Sequence, residues 1–163
     1  MNVLKKLTIN SNLNNLYLVQ QLVEEICDEF NINNTYFGNI SVAITEAVKN
    51  AIIHGNKLVV DKQVTVLFVR ENATYTFVIK DKGKGFDYKN LPDPTDIDNN
   101  TFTGTGIFLI KSLADKVEFK NNGNTIEISF FINNINAALA DDRANKLTAY
   151  HSNKTSKELK KTE

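Results

Sequence analysis

Glu46 and Asn50 stand one helical turn apart in the stretch Asn39 to Lys57, NISVAITEAVKNAIIHGNK, and share a face of any helix built there. A carboxylate so placed can accept a proton, and a carboxamide oxygen is a hard ligand suited to Mg²⁺. Further along, Asp81, Gly83 and Gly85 form D-x-G-x-G directly after an apolar run, and Gly104, Thr105 and Gly106 precede another. Two glycines spaced by one residue mean backbone at positive φ, or backbone lying close to something flat. Glycines before a helix N-terminus open its N–H groups to phosphate. A carboxylate for an exocyclic amine, glycines for the approach of a base and a helix N-terminus for phosphates together suit a nucleotide. Neither a G-x-x-x-x-G-K-[ST] loop nor a G-x-G-x-x-G fingerprint after a strand is present, so a nucleotide site here is of another type.

These residues must be held by definite elements. Ile40, Ile44, Ala47 and Ala51 recur at helical spacing beside Glu46 and Asn50, and Gly55 supplies a stop. Upstream, Val3 to Asn10 reads as an edge strand with lysines that discourage foreign pairing, and Ser11 or Asn12 can cap a following helix. In that helix Leu16, Val19, Val23, Ile26, Cys27 and Phe30 form an apolar stripe opposite Glu24, Glu25, Asp28 and Glu29. Gln63 to Arg70 and Thr74 to Lys80 read as a hairpin closed by Glu71, Asn72 and Ala73. Asp87 to Thr103 holds both prolines, Pro92 and Pro94, and reads as a long loop of the lid or binding kind. After Gly106, the residues Ile107, Ile110, Leu113 and Ala114 predict a helix. Val117 to Lys120 and Thr125 to Ile132 predict two strands joined by Asn-Asn-Gly-Asn.

Composition sets the outer limits. The chain has 163 residues with 42% hydrophobic content, enough for one domain with a proper core. Nineteen basic residues balance nineteen acidic ones, so no global field recruits nucleic acid or anionic lipid. No apolar run approaches the ~20 residues of a membrane span, and the expectation is a cytoplasmic protein without nucleic-acid or membrane partners. Cys27 is the only cysteine; its place on the apolar stripe makes it a core residue and not a nucleophile. A domain over residues 1–132 is expected, followed by an extension over residues 133–163 with a short helix around Ala137 to Leu147 and a mobile polar end.

The order and spacing of these motifs resemble the Bergerat-type ATP-binding fold of the GHKL superfamily. Its N box corresponds to Glu46-Ala-Val-Lys-Asn50-Ala-Ile-Ile-His54-Gly55, its first glycine box to Asp81-Lys-Gly83-Lys-Gly85 and its second to Gly104-Thr-Gly106-Ile-Phe-Leu-Ile. Within it, the short lid with Pro92-Asp93-Pro94 and the run IFLIKSLADKVEF look most like anti-sigma-factor serine kinases of the RsbW type. The resemblance spans Val3 to Ile132. It implies an α/β two-layer sandwich of the α+β kind, with helices on one face of a mixed sheet.

The resemblance also implies roles. Glu46 would be the catalytic base toward a serine hydroxyl, and Asn50 would coordinate Mg²⁺ bridging the phosphates of ATP. Asp81 would recognise the adenine amine, with Gly83 and Gly85 lining the base. Gly104, Thr105 and Gly106 would contact phosphates, and the Thr125 hydroxyl would assist adenine recognition, often through water. His54 belongs to the family pattern, as a helix-end packing residue or as a lid or nucleotide contact. Many relatives carry Arg where this chain has Thr105, and no Arg lies between Asp81 and Gly106; Lys82, Lys84 or Lys89 are the point charges proposed instead. The implied function is serine/threonine-protein kinase activity toward an anti-sigma antagonist with a STAS-type domain, coupled to sequestration of a sigma factor, with homodimerisation left open. Two alternatives are a non-catalytic ATP-responsive binding switch and a histidine-kinase catalytic domain. The latter is disfavoured because no upstream dimerisation helix with a phosphoacceptor His is present and His151 lies in the tail.

Overall fold

The computed structural model describes residues 2–90 and 105–132. Residues 91–103 of the expected lid Asp87 to Thr103, Gly104, and the expected extension over residues 133–163 with its helix around Ala137 to Leu147 therefore lie outside the described residues. The described elements are strand β1 (Val3–Asn10), helices α1 (Leu16–Glu29) and α2 (Asn34–Asn50), strands β2 (Gln63–Glu71) and β3 (Thr74–Lys80), helix α3 (Thr105–Leu113), and strands β4 (Lys116–Lys120) and β5 (Thr125–Phe131).

Local chemistry explains the boundaries. Asn12 caps the short 3-10 turn Leu13–Asn15 that leads into α1, its side chain accepting from the Asn14 N–H at 2.9 Å. Asn33 caps α2 by accepting from the N–H groups of Thr35 and Tyr36, each at 3.1 Å. Asn31, at φ 51°, turns the chain between the two helices. At its far end α2 passes into a π-turn, Ala51–Gly55, closed by Asn56 N–H donating to the Ala51 carbonyl at 2.8 Å. Such a turn inserts one residue and re-aims the chain, a device found often at functional sites.

The five strands form one sheet in the order β1-β2-β3-β5-β4, and every neighbouring pair is antiparallel. The expected mixed sheet is therefore corrected to an antiparallel one. The strand, helix, strand sequence β3-α3-β4 suggests a parallel pair, and β3 and β4 do run in the same direction. However, β5 turns back through Asn121–Asn124 and inserts between them, pairing Lys80 with Thr125 on one side and Lys120 with Thr125 on the other. β1 and β2, joined through α1 and α2, also run oppositely. β1 lies at an edge, as expected.

One face of the sheet is packed. Val64, Val66 and Phe68 of β2, Tyr75, Phe77 and Ile79 of β3, and Ile126, Ile128 and Phe130 of β5 share a single core with Val19, Val23 and Ile26 of α1, Ile40, Ile44 and Val48 of α2 and Ile110 of α3. The period-2 alternation of the strands meets the helical stripes there. Phe77 sits at its centre, with its ring centroid 5.1 Å from Phe68 and 6.4 Å from Phe130. Cys27 is part of this core, and burial pushes its thiol up to about 11; it is held protonated and inert, in keeping with a core role. Among the described residues no helix is long and apolar enough to cross a membrane.

The register gathers five strand ends on one side: Lys80, Thr125 and Lys120 lie level, and the paired Asn10 and Gln63 extend just beyond the Thr65 that faces Lys80. The end of α2 joins them, because Asn56 hydrogen-bonds to Ser11, Gln63 and Lys82.

Candidate functional site

A cavity of about 670 Å³ opens at that end of the fold, within the size range of a small-molecule site. Its wall includes Glu46, Asn50, His54 and Gly55 from α2 and its π-turn, Asp81 and Gly85 from the loop after β3, and Thr105 and Gly106 from the start of α3. Ile79, Ile126 and Phe119 supply an apolar floor from the sheet. Three segments far apart in sequence thus converge on one space, each contributing the kind of group predicted for it.

Glu46 and Asn50 face the first turn of α3. A Cβ placed on Gly106 would lie 3.0 Å from Asn50 Nδ2, 3.1 Å from Glu46 Oε2 and 3.3 Å from Asn50 Oδ1, so the bare backbone of Gly106 is what lets α3 approach the two side chains. Glu46 is further held by Lys49, whose Nζ donates to Oε1 at 2.5 Å. The expected substitute cations were Lys82, Lys84 and Lys89. Among the described residues, the lysines that line the cavity are instead Lys49 and Lys57. Lys82, Lys84 and Lys89 lie on the exposed side of the loop that follows β3, where a long charged side chain keeps its head in water.

Asp81 is anchored at its backbone by donating its N–H to the Asn124 carbonyl at 3.0 Å. Its Oδ1 accepts from the Gly83 N–H at 2.6 Å. Burial raises the affinity of this carboxyl for its proton above the usual carboxylate range, while the Gly83 N–H and the charge of Lys62 act in the opposite direction. Asp81 is thus a half-buried acceptor on the cavity wall.

The glycines around Asp81 act mainly through the space they leave. Gly55 ends the helical segment, as expected of a stop, but without a positive φ; positive values among the described glycines occur at Gly85 (80°) and Gly123 (90°). A Cβ on Gly55 would fall 2.6 Å from Asp81 Oδ2 and 2.7 Å from Oδ1, inside the carboxylate. Gly83 has the same relation to the backbone of Gly55, with the carbonyl carbon at 2.7 Å from a built Cβ. Gly83 does not itself line the cavity; it lets the loop close against the end of α2. Gly85 needs both kinds of freedom, since a Cβ there would also overlap the carbonyl of Asn122. The neighbouring Phe86 N–H donates to that same carbonyl at 2.9 Å. Phe86 packs edge-on against Phe119 with centroids 5.5 Å apart, and Tyr88 stacks on Phe119 at 5.1 Å, an aromatic wall that the spacing of the motifs did not reveal.

Thr125, the expected assistant in adenine recognition, is buried but does not line the cavity, although its neighbours Asn124 and Ile126 do. Its hydroxyl accepts from Asn121 Nδ2 and donates to Asn124 Oδ1, both at 3.2 Å. Gly104 lies outside the described residues.

A family model described as a histidine kinase-like ATPase domain matches residues 9–130. A serine-protein kinase RsbW from Staphylococcus aureus (strain JH9) is 36% identical over 101 residues, covering 57% of this chain and 62% of the relative. The corresponding protein of the bovine strain RF122 / ET3-1 is 36% identical over 103 residues, with 56% and 63% covered. The alignments thus take in less than two thirds of the length of these curated relatives. Among solved structures, the RsbU and RsbW domains of Rv1364c from Mycobacterium tuberculosis superpose with a TM-score of 0.55 at 16% identity, over 80% of this chain and 31% of that one. At that identity the likeness concerns the fold.

Proposed function

The chain belongs to the histidine kinase-like ATPase family, and from that premise we propose that it is an ATP- and Mg²⁺-dependent protein serine kinase of the anti-sigma-factor type. The observation that carries this reading is the convergence of Glu46 and Asn50 on the first turn of α3, in the same cavity as Asp81. The similarity to serine-protein kinase RsbW supports the choice of serine as acceptor.

Each residue then has a task. Asp81 accepts a hydrogen bond from the adenine amine, and Gly85 lets the backbone lie against the base. The amide groups at the start of α3 meet the phosphates. Asn50 fits a divalent ion, since its carboxamide offers a hard oxygen beside that turn. Mg²⁺ bound with ATP would neutralise charge on the transferring phosphoryl group. Glu46, oriented by Lys49, accepts the proton of the attacking serine hydroxyl. The protein partners under this reading are an antagonist with a STAS-type domain, which carries the serine, and a sigma factor.

Incubation with γ-labelled ATP, Mg²⁺ and a candidate STAS-domain protein tests the proposal. Label appearing on a serine of that protein is the expected result. Nucleotide binding with no transfer to any STAS-domain candidate would favour an ATP-responsive binding switch.

A further inference from the structure

The residue after the π-turn, Asn56, is fully buried and engages its whole carboxamide. Its Oδ1 accepts from the Lys82 N–H at 2.7 Å, and its Nδ2 donates to Ser11 Oγ at 2.8 Å and to the Gln63 carbonyl at 3.2 Å. Ser11 Oγ in turn donates to the Lys62 carbonyl at 2.7 Å. One side chain therefore joins the exit of β1, the entry of β2 and the residue directly after Asp81. A buried amide with donor and acceptor sites both satisfied is held in one orientation, because any rotation leaves a polar group unpaired.

We infer that Asn56 is the positioning residue for Asp81 and, through it, sets the preference of the site for a base carrying an exocyclic amine. The Lys82 N–H belongs to the peptide that starts at the Asp81 carbonyl, so the bond from Asn56 fixes that peptide plane and the direction in which the Asp81 side chain leaves the backbone. On its other side Asp81 is fixed by its own N–H donating to Asn124. Between these two anchors the carboxylate is directed into the space that Gly55 leaves open. Asn suits the task because it is neutral: it holds the peptide without adding a charge beside a carboxylate that burial already disfavours in its ionised form. This inference rests on the reading of Asp81 as the adenine acceptor.

The test compares Mg·ATP with Mg·ITP, which presents a carbonyl where ATP has its amine, by calorimetric titration of the full chain alongside thermal midpoints. Wild type is expected to prefer ATP. Asn56→Ala should lose about tenfold or more of that preference, the scale set by one misplaced hydrogen bond. Ser11→Ala removes the partner on the far side of Asn56, and should lower the midpoint while leaving the preference intact. Asn56→Asp should restore it, because a carboxyl buried there is kept protonated and can both accept from Lys82 and donate in place of the amide. Titration below each variant's midpoint keeps the comparison within the folded protein. An unchanged ATP-to-ITP ratio in Asn56→Ala, or an equal loss in Ser11→Ala, reduces Asn56 to a structural residue and overturns the inference. Wild type that binds the two nucleotides alike, or neither, overturns the assignment of Asp81 and the inference with it.

Discussion

The carboxylate of Asp81 occupies the volume that a side chain on Gly55 would need, with both oxygens within 2.7 Å of a Cβ built there. Two motifs that lie far apart in the chain are therefore one steric unit. Gly55→Ala is predicted to displace the carboxylate while preserving the helix, since alanine is the better helix former. The stabilisation that Mg·ATP gives the wild type, which follows from binding only the native state, should then fall sharply. Asp81→Asn should abolish most of it, because the amide presents donors to the adenine amine. Thermal midpoints with and without Mg·ATP check both; full shifts in both variants would remove Asp81 from the base site.

Acidification should act through the same carboxyl. Asp81 has its pKa raised by burial, so the folded chain retains this proton at a pH where the unfolded chain has released it. With more protons bound in the folded state, the contribution of Asp81 to stability falls as pH rises from the ordinary carboxylate pKa through the raised one. ATP affinity should move the opposite way, weakening as pH falls through the raised value, because the protonated carboxyl loses its character as a pure acceptor. Titrations between pH 4 and 7, a range on the order of that spanned by shifted carboxylates, should show this step in the wild type and a flatter profile in Asp81→Asn. Parallel profiles would sink the prediction.

Glu46 and Asn50 should fail in different assays. Glu46→Gln keeps its shape and should preserve nucleotide affinity while cutting serine phosphorylation by about 10²-fold or more. Asn50→Ala removes a hard oxygen beside Gly106 and should weaken nucleotide binding in Mg²⁺ more than in EDTA. Transfer at the wild-type rate by Glu46→Gln would exclude it as the base.

The core prediction is independent of the site. Phe77 is fully buried between Phe68 and Phe130, and Phe77→Ala should cost about 3–5 kcal/mol through lost burial and a residual cavity. Urea unfolding measures this directly. A cost below about 1 kcal/mol would mean that the aromatic layer can collapse around the gap.

The sequence by itself determined the elements and the chemistry each carries. The stripe through Ile40, Ile44 and Ala47 could only be a buried helix face, and it placed Glu46 and Asn50 together on its flank because both spacings follow from the helical repeat. The alternation in Gln63 to Lys80 likewise required a half-buried hairpin, and Asp81, Gly83 and Gly85 stood out because that glycine density has no use in a plain turn. All of these signals are local. The tertiary structure decided which atoms meet across the fold. That β5 inserts between β3 and β4 depends on the turn at Asn121–Asn124 and on pairing with both neighbours, and no spacing within either strand encodes it. The same holds for Gly55, whose missing side chain matters only once Asp81 is beside it, and for the Lys49 and Lys57 that line the cavity in place of Lys82, Lys84 and Lys89. Asn56 is the clearest case: a single polar residue after a helix looks like surface until three strand ends are brought to it, and desolvation then leaves its carboxamide no partners but theirs.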